Sequence, residues 1–229
     1  RNRELEQLQK DLRMDRLPRH IECFDNSNIQ GHHPVAACVV FRNGKPARKE
    51  YRHFNIRSVE GPDDYASMKE VVYRRYRRLI NHGDELPQLV VIDGGKGQLS
   101  AARGSLKELG IHDQVVVIGI AKRLEEIYFP DDPVPLYLDK KSSSLKTIQH
   151  LRDEAHRFGI QFHRQKRSQH FASSELEGIE GIGPKTAQKL LEKYGSAAEV
   201  SKLDLQTLSQ EVGPSKARVI YNHFQNQPS

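Results

Sequence analysis

At 229 residues the chain exceeds the usual domain length of roughly 100 to 200 residues, so a large unit with a small companion is expected. It is 36% hydrophobic and 29% charged, which leaves enough apolar material for a core and excludes global disorder, and the net charge of +6 favours a polyanionic partner, nucleic acid first. No apolar run approaches the roughly 18 residues of a membrane span and no signal-peptide pattern opens the chain, so a cytosolic protein without membrane contact is expected.

In chain order, Arg1 stands where an initiating Met would, which points to a piece of a longer protein. Leu5, Leu8 and Leu12 mark a short leading helix ended by Pro18, expected as a linker over residues 1–17. Strand patterns follow over 20–25, 35–41 and 48–56, joined by Gly31 and by the turn Asn43-Gly44 as an antiparallel meander. Cys23 and Cys38 lie on these strands and are expected as small buried core residues without chemistry. Gly61-Pro62-Asp63-Asp64 supplies a helix start. Tyr65, Met68, Val72, Tyr76 and Leu79 form its apolar stripe, beside Arg74, Arg75, Arg77 and Arg78 as a solvated face. The apolar run 89–92 ends in Asp93 and the glycines Gly94, Gly95 and Gly97, then enters a helix reaching to about Gly110. A second buried strand over 115–120 completes a strand, helix and strand unit with parallel strands. Residues 128–135 read as a hairpin. A last helix carries Leu145, Ile148, Leu151, Ala155, Phe158 and Phe162 on one face. This order suits an α/β ribonuclease H-like mixed sheet flanked by helices over 18–163, followed by a basic linker over 164–174.

The tail, 175–229, repeats itself at an offset of 30 residues: Ile182-Gly183-Pro184 returns as Val212-Gly213-Pro214, Ala187 as Ala217, Leu190 as Ile220 and Tyr194 as Phe224. Each copy reads as helix, glycine turn and helix, and together they resemble the tandem helix-hairpin-helix module of DNA repair proteins, a small all-α domain. Residues 168–229 hold six Lys and Arg against seven Asp and Glu, so side-chain charge cannot hold a polyanion there. Unpaired amides at a helix start can, and glycine keeps the approach open. Gly181, Gly183, Lys185 and Thr186 in the first copy, and Gly213, Ser215 and Lys216 in the second, are the candidate phosphate contacts. Glu211 occupies the place of Gly181, so the second turn is expected to bind phosphate less well and to serve partly as scaffold.

Asp25 and Asp93 stand at strand mouths, where α/β folds place ligands, and His156 lies at the edge of the apolar stripe of the last helix. Two carboxylates and one further ligand suffice for magnesium, and an imidazole also suits manganese, so one or two such ions are expected on Asp25, Asp93 and His156. Lys96 and Arg152 are candidates to stabilise added negative charge. Asp153 is a candidate to orient His156, or else an exposed helix residue. Gly94-Gly95-Lys96-Gly97 lacks the Walker spacing; its small residues instead let a DNA backbone approach Asp93, with Lys96, Lys140 and Lys141 as phosphate contacts.

Phe24-Asp25-Asn26-Ser27-Asn28-Ile29-Gln30-Gly31, Gly61-Pro62-Asp63-Asp64-Tyr65, Val91-Ile92-Asp93-Gly94-Gly95-Lys96-Gly97-Gln98 and Arg152-Asp153-Glu154-Ala155-His156-Arg157-Phe158 resemble, in order, the C-terminal half of UvrC, the incision subunit of bacterial nucleotide excision repair. The resemblance implies an endonuclease cutting on the 5′ side of a lesion in double-stranded DNA, with Asp25, Asp93 and His156 as its catalytic residues and Asp64 as a further acidic position. It implies UvrB as partner, UvrA indirectly, and a monomer. A catalytically silent DNA-binding platform, and a ribonuclease or junction resolvase, are the competing readings.

Overall fold

A computed structural model describes residues 2–27, 34–57, 63–121 and 126–226, with side chains described at all of these except 166–174. Gly31, expected between the first two strands, and Gly61 and Pro62, expected at a helix start, lie outside the described residues. The chain divides into two units, Arg1–Gln161 and Phe162–Ser229.

The first unit runs α1 (Asn2–Asp11), β1 (His20–Ser27), β2 (Val35–Arg42), β3 (Lys45–Pro46), a 3-10 turn (Arg48–Glu50), β4 (Arg52–Asn55), α2 (Asp64–His82), β5 (Leu89–Asp93), α3 (Lys96–Glu108), β6 (Val116–Ile120), β7 (Glu126–Tyr128), β8 (Leu136–Tyr137) and the start of α4 (Ser143–Glu177). Among the described residues one mixed sheet forms in the order β3-β2-β1-β5-β6-β7-β8, with β4 also paired to β2. The expected parallel unit is present, β1 beside β5 beside β6. β2, β7 and β8 run antiparallel to their neighbours.

Strand residues alternate between two faces, and each face has its own core. Cys23, Val91, Ile118 and Ile120 pack with Leu145, Ile148, Leu151 and Ala155 of α4 and with Leu8 and Leu12. Phe24, Val90, Ile92 and Val117 pack with Met68, Val72 and Tyr76 of α2 and Leu99, Ala102 and Leu106 of α3. The apolar run of β5 is thus covered on both sides, and both cysteines are free and buried, as expected of core residues.

Several expectations need amending. The leading helix, expected as a linker, buries Leu5, Leu8 and Leu12, because an apolar stripe at helical spacing has a sheet face to cover. The third strand, expected over 48–56, is broken: Pro46 cannot donate a ladder hydrogen bond, residues Arg48–Glu50 turn, and only Arg52–Asn55 pairs with β2 along that stretch. Residues 128–135 are mostly the loop of the hairpin formed by β7 and β8. The stretch 164–174, expected as a linker, is helical backbone within α4.

Arg75 departs from the solvated arginine face. It is 7% exposed and grips the fully buried Glu22 with two hydrogen bonds, of 3.0 and 2.7 Å. Tyr76 donates to the same carboxylate at 2.9 Å, and the His20 ring lies 2.7 Å from it. A charge on the inner face of a sheet is tolerated only when paired and hydrogen-bonded. Burial alone would raise the Glu22 carboxyl, but the hydrogen bonds from His20 and Arg75 outweigh it and hold it at about 2, against an ordinary 4.5.

The second unit comprises the end of α4, α5 (Pro184–Tyr194), α6 (Ala197–Ser201), α7 (Leu205–Val212) and α8 (Pro214–Gln225). Its core is built from the repeat: Ala187 and Ala217, and Leu190 and Ile220, are fully buried, with Tyr194 and Phe224 packed at its margin. No helix among the described residues is long and apolar enough to cross a membrane.

Replacing Glu22 by Gln leaves Arg75 buried without its counter-charge and is expected to cost on the order of 3–5 kcal/mol in urea or thermal unfolding. Because the folded carboxyl titrates below the unfolded one, its contribution is complete above pH 4.5 and drains as pH falls toward 2. The unaltered chain should therefore lose stability across that window more steeply than Glu22→Gln does.

Candidate active site

β1 and β5 are parallel and in register, with Asp25 opposite Asp93. Register partners on adjacent strands point to the same face, so two carboxylates far apart in sequence stand side by side at the same end of the sheet, on the side covered by α4. β5 ends there because Gly94 takes φ +149°, and a Cβ at that position would lie 2.5 Å from Cγ of Gln98. Gly95 caps α3 without a side-chain hydrogen bond.

α4 brings His156 to the pair. Its Nδ1 lies 3.4 Å from Oδ2 of Asp25, while the imidazole remains 68% exposed. Gly159, one turn later, faces the same place: a Cβ there would make ordinary contacts, 3.8 Å from Cβ of Ala37 and 3.9 Å from Oδ2 of Asp25. Two contacts from the neighbouring strand region fix the same stretch of helix. Tyr51 Oη donates to Glu154 at 2.8 Å, and the His53 ring stacks on Phe158 at 3.6 Å with its Nε2 2.8 Å from the Phe158 carbonyl.

Burial, then the neighbouring Asp93 charge, pushes the Asp25 carboxyl up to about 6, with His156 and Arg152 pulling the other way. Asp93 is raised as well, by burial, against the pull of Arg152 and His156. Two half-hidden acids held from ionising would accept positive charge from a divalent cation; magnesium needs few protein carboxylates and keeps its own waters. The oxygen donors therefore suit such an ion. Among the described residues, though, no three His, Cys, Asp or Glu side chains are grouped tightly enough to form a metal cage. Asp25 and His156 touch, and Asp93 joins them through register and charge.

The accessory candidates divide. Arg152 faces both carboxylates electrostatically and also pairs with Asp153 at 3.0 Å, so Asp153 serves the arginine rather than the imidazole. Asp64, the first residue of α2, is exposed, and its carbonyl accepts a hydrogen bond from Asn26 Nδ2 at 3.1 Å, which ties the start of α2 to the end of β1. Lys96 is turned away from Asp93: its Nζ donates to the Pro133 carbonyl at 3.1 Å and lies 5.2 Å from the centre of the Tyr128 ring. Lys140 and Lys141 are exposed in the turn before α4. Tyr51 and His53 escaped the sequence reading, since linear spacing does not reveal that they lie opposite α4.

In the second unit, Gly183-Pro184 and Gly213-Pro214 open α5 and α8 without side-chain caps. Lys216 Nζ donates to Thr186 Oγ1 at 3.1 Å, so the first turns of the two helices are neighbours. The turns differ in detail. The left-handed residue of the first copy is Gly181, at φ +86°, whereas α7 continues through Glu211 and the positive φ falls on Gly213, at +87°. Glu211 needs no glycine freedom there, and it accepts hydrogen bonds from Tyr194, Lys193 and, at its carbonyl, Lys189 of α5.

Comparison with known proteins agrees with this division. Residues 9–160 match the family model of the UvrC RNase H endonuclease domain, and residues 173–226 match that of the SAM-like helix-hairpin-helix tandem. The chain is 58% identical over 226 residues to the UvrABC system protein C of Christiangramia forsetii, covering 99% of the chain and 38% of that protein. It is 58% identical over 223 residues to the protein of the same name from Flavobacterium johnsoniae, covering 97% of the chain and 37% of that protein. It thus spans little more than a third of the length of the curated relatives it matches. A solved Ciona intestinalis endonuclease V bound to inosine-containing DNA is 20% identical, covers 66% of this chain and 65% of its own, and superposes with a TM-score of 0.35, too loose to bear on the chemistry. With the nuclease-domain model matched across both carboxylate strands and the histidine helix, and the helical tandem following it, the chain belongs to the UvrC family.

Proposed function

We propose that the chain is the portion of a bacterial excision nuclease that makes the incision on the 5′ side of a lesion, cutting a DNA phosphodiester with divalent-metal dependence. The observation that carries this reading is the in-register pair Asp25 and Asp93 with His156 3.4 Å from Asp25. Asp25 and Asp93 would hold magnesium or manganese, one or two ions, with His156 completing or orienting the set. The chemistry such an ion supplies is polarisation of the scissile phosphate and acidification of water. Arg152, facing both carboxylates, is placed to offset negative charge gained in the transition state. Hydrolysis leaves a 3′-hydroxyl and a 5′-phosphate.

The second unit holds the duplex through its backbone. Two neighbouring helix starts, each opened by Gly-Pro, present amides to phosphates on a domain with little net charge, so contact is independent of base sequence. Lys185 and Lys216 add charge at the same two turns. UvrB, carrying lesion-bearing DNA, is the partner that would bring the substrate to this site, with UvrA acting upstream of it.

Nicking of supercoiled plasmid in the presence of Mn2+ should vanish in Asp25→Asn while DNA binding persists, and EDTA should abolish it in the unaltered chain; unchanged nicking by Asp25→Asn would exclude this site. In the second unit, a Cβ at Gly183 meets open space, so Gly183→Val should leave thermal stability intact and weaken duplex binding by blocking the amides. Lys185→Ala should instead lower the slope of log affinity against log salt by about one, measured by fluorescence anisotropy.

A further inference from the structure

Tyr65 lies in the first turn of α2 and is 59% exposed, although its position is tightly specified. On one side, the carbonyl of the preceding Asp64 is held by Asn26, the residue after Asp25, and Asp63 caps the helix through a 3.0 Å bond to the Ala66 amide. On the other side, the hydroxyl end of the ring rests on the first turn of α3. A Cβ on Gly97 would lie 2.4 Å from Cζ and 2.7 Å from Oη of Tyr65, so a larger residue there would push the ring from its present place. Gly97 follows Asp93 by four residues. An aromatic side chain is therefore anchored between the two segments that lead out of the carboxylate strands, with more than half of its surface open to solvent. A tyrosine kept for the core would be covered.

We propose that Tyr65 is a positioning and specificity residue that stacks against a nucleobase next to the scissile phosphate, an inference that rests on the nuclease reading above. Every base presents a π-face, so stacking on an aromatic ring tolerates any sequence. A base inside an intact duplex is already stacked on its neighbours, and reaching the ring requires it to leave them. That expense is least where the helix is distorted. Tyr65 thus confers preference for unstacked DNA at the point of cutting, without reading the base. A nucleobase suits the place, since the ring rests on the uncapped start of α3 with more than half of the residue's surface open.

The test uses the 229-residue chain with Mn2+ and two oligonucleotide duplexes, one regular and one with a short unpaired bubble, each carrying 2-aminopurine beside the cut position. Tyr65→Phe should behave as the unaltered chain. Tyr65→Leu, which keeps apolar bulk over Gly97, should lose about tenfold or more in bubble cleavage, at saturating DNA, and most of the preference over regular duplex. Gly97→Ala, which retains Tyr65 but expels its ring, should give the same loss, and the double variant should be no worse than either. Bound to Asp25→Asn chain, 2-aminopurine fluorescence should be quenched, and Tyr65→Leu in that background should abolish the quench. If quench and preference survive in both Tyr65→Leu and Gly97→Ala, or if Tyr65→Leu weakens capture of a protein partner and leaves DNA untouched, the proposal is overturned. If Asp25→Asn cuts as well as the unaltered chain, the nuclease reading falls, and the quench comparison still decides the role of Tyr65. Should Tyr65→Leu fail to fold by circular dichroism, Gly97→Ala against Tyr65→Phe decides the same question.

Discussion

The pairing of β1 with β5 in parallel register is the constraint on which the first unit depends. It forces Asp25 and Asp93, held by strands 68 residues apart in sequence, onto one face at one end of the sheet. Burial makes their charges harder to sustain and raises both, and the charge of Asp93 adds to the shift of Asp25. A fold gains no stability from that arrangement. Under the proposed reading, a divalent cation would supply the charge that the pair lacks.

Much of the surrounding structure holds the fourth helix against that pair. Its apolar face, Leu145, Ile148, Leu151 and Ala155, packs on the sheet. Tyr51 and His53 then fasten the turns on either side of His156 by hydrogen bonding and ring stacking. The imidazole needs little burial of its own, since the helix that carries it is fixed. On the opposite face of the sheet, Glu22 and Arg75 form a buried pair with Tyr76, tying the second helix to the same strand that bears Asp25.

In the second unit the repeat explains both packing and surface. The positions that recur, Ala187 with Ala217 and Leu190 with Ile220, are the ones that meet in the core, and the Gly-Pro pairs that recur open two neighbouring helices. The departure at Glu211 follows from a shift of the left-handed residue to Gly213, which frees position 211 to remain helical and to brace α7 against α5. The copies are thus alike in what they bury and different in how they turn.

Where apolar periodicity or repetition carries the signal, the amino-acid sequence alone was sufficient. Apolar periodicity identified the buried strands and the helix carrying His156, the 30-residue repeat identified the helical tandem, and Asp25 and Asp93 at the ends of apolar runs identified the strand mouths. Register, which depends on hydrogen bonds between distant segments, was decided only by the tertiary structure. So were the burial of Arg75 on Glu22, the diversion of Lys96 to the Pro133 carbonyl, and the contact of the Tyr65 ring with Gly97. Each of these depends on what lies opposite a residue in space, and linear spacing carries no information about a partner brought in by a different part of the chain.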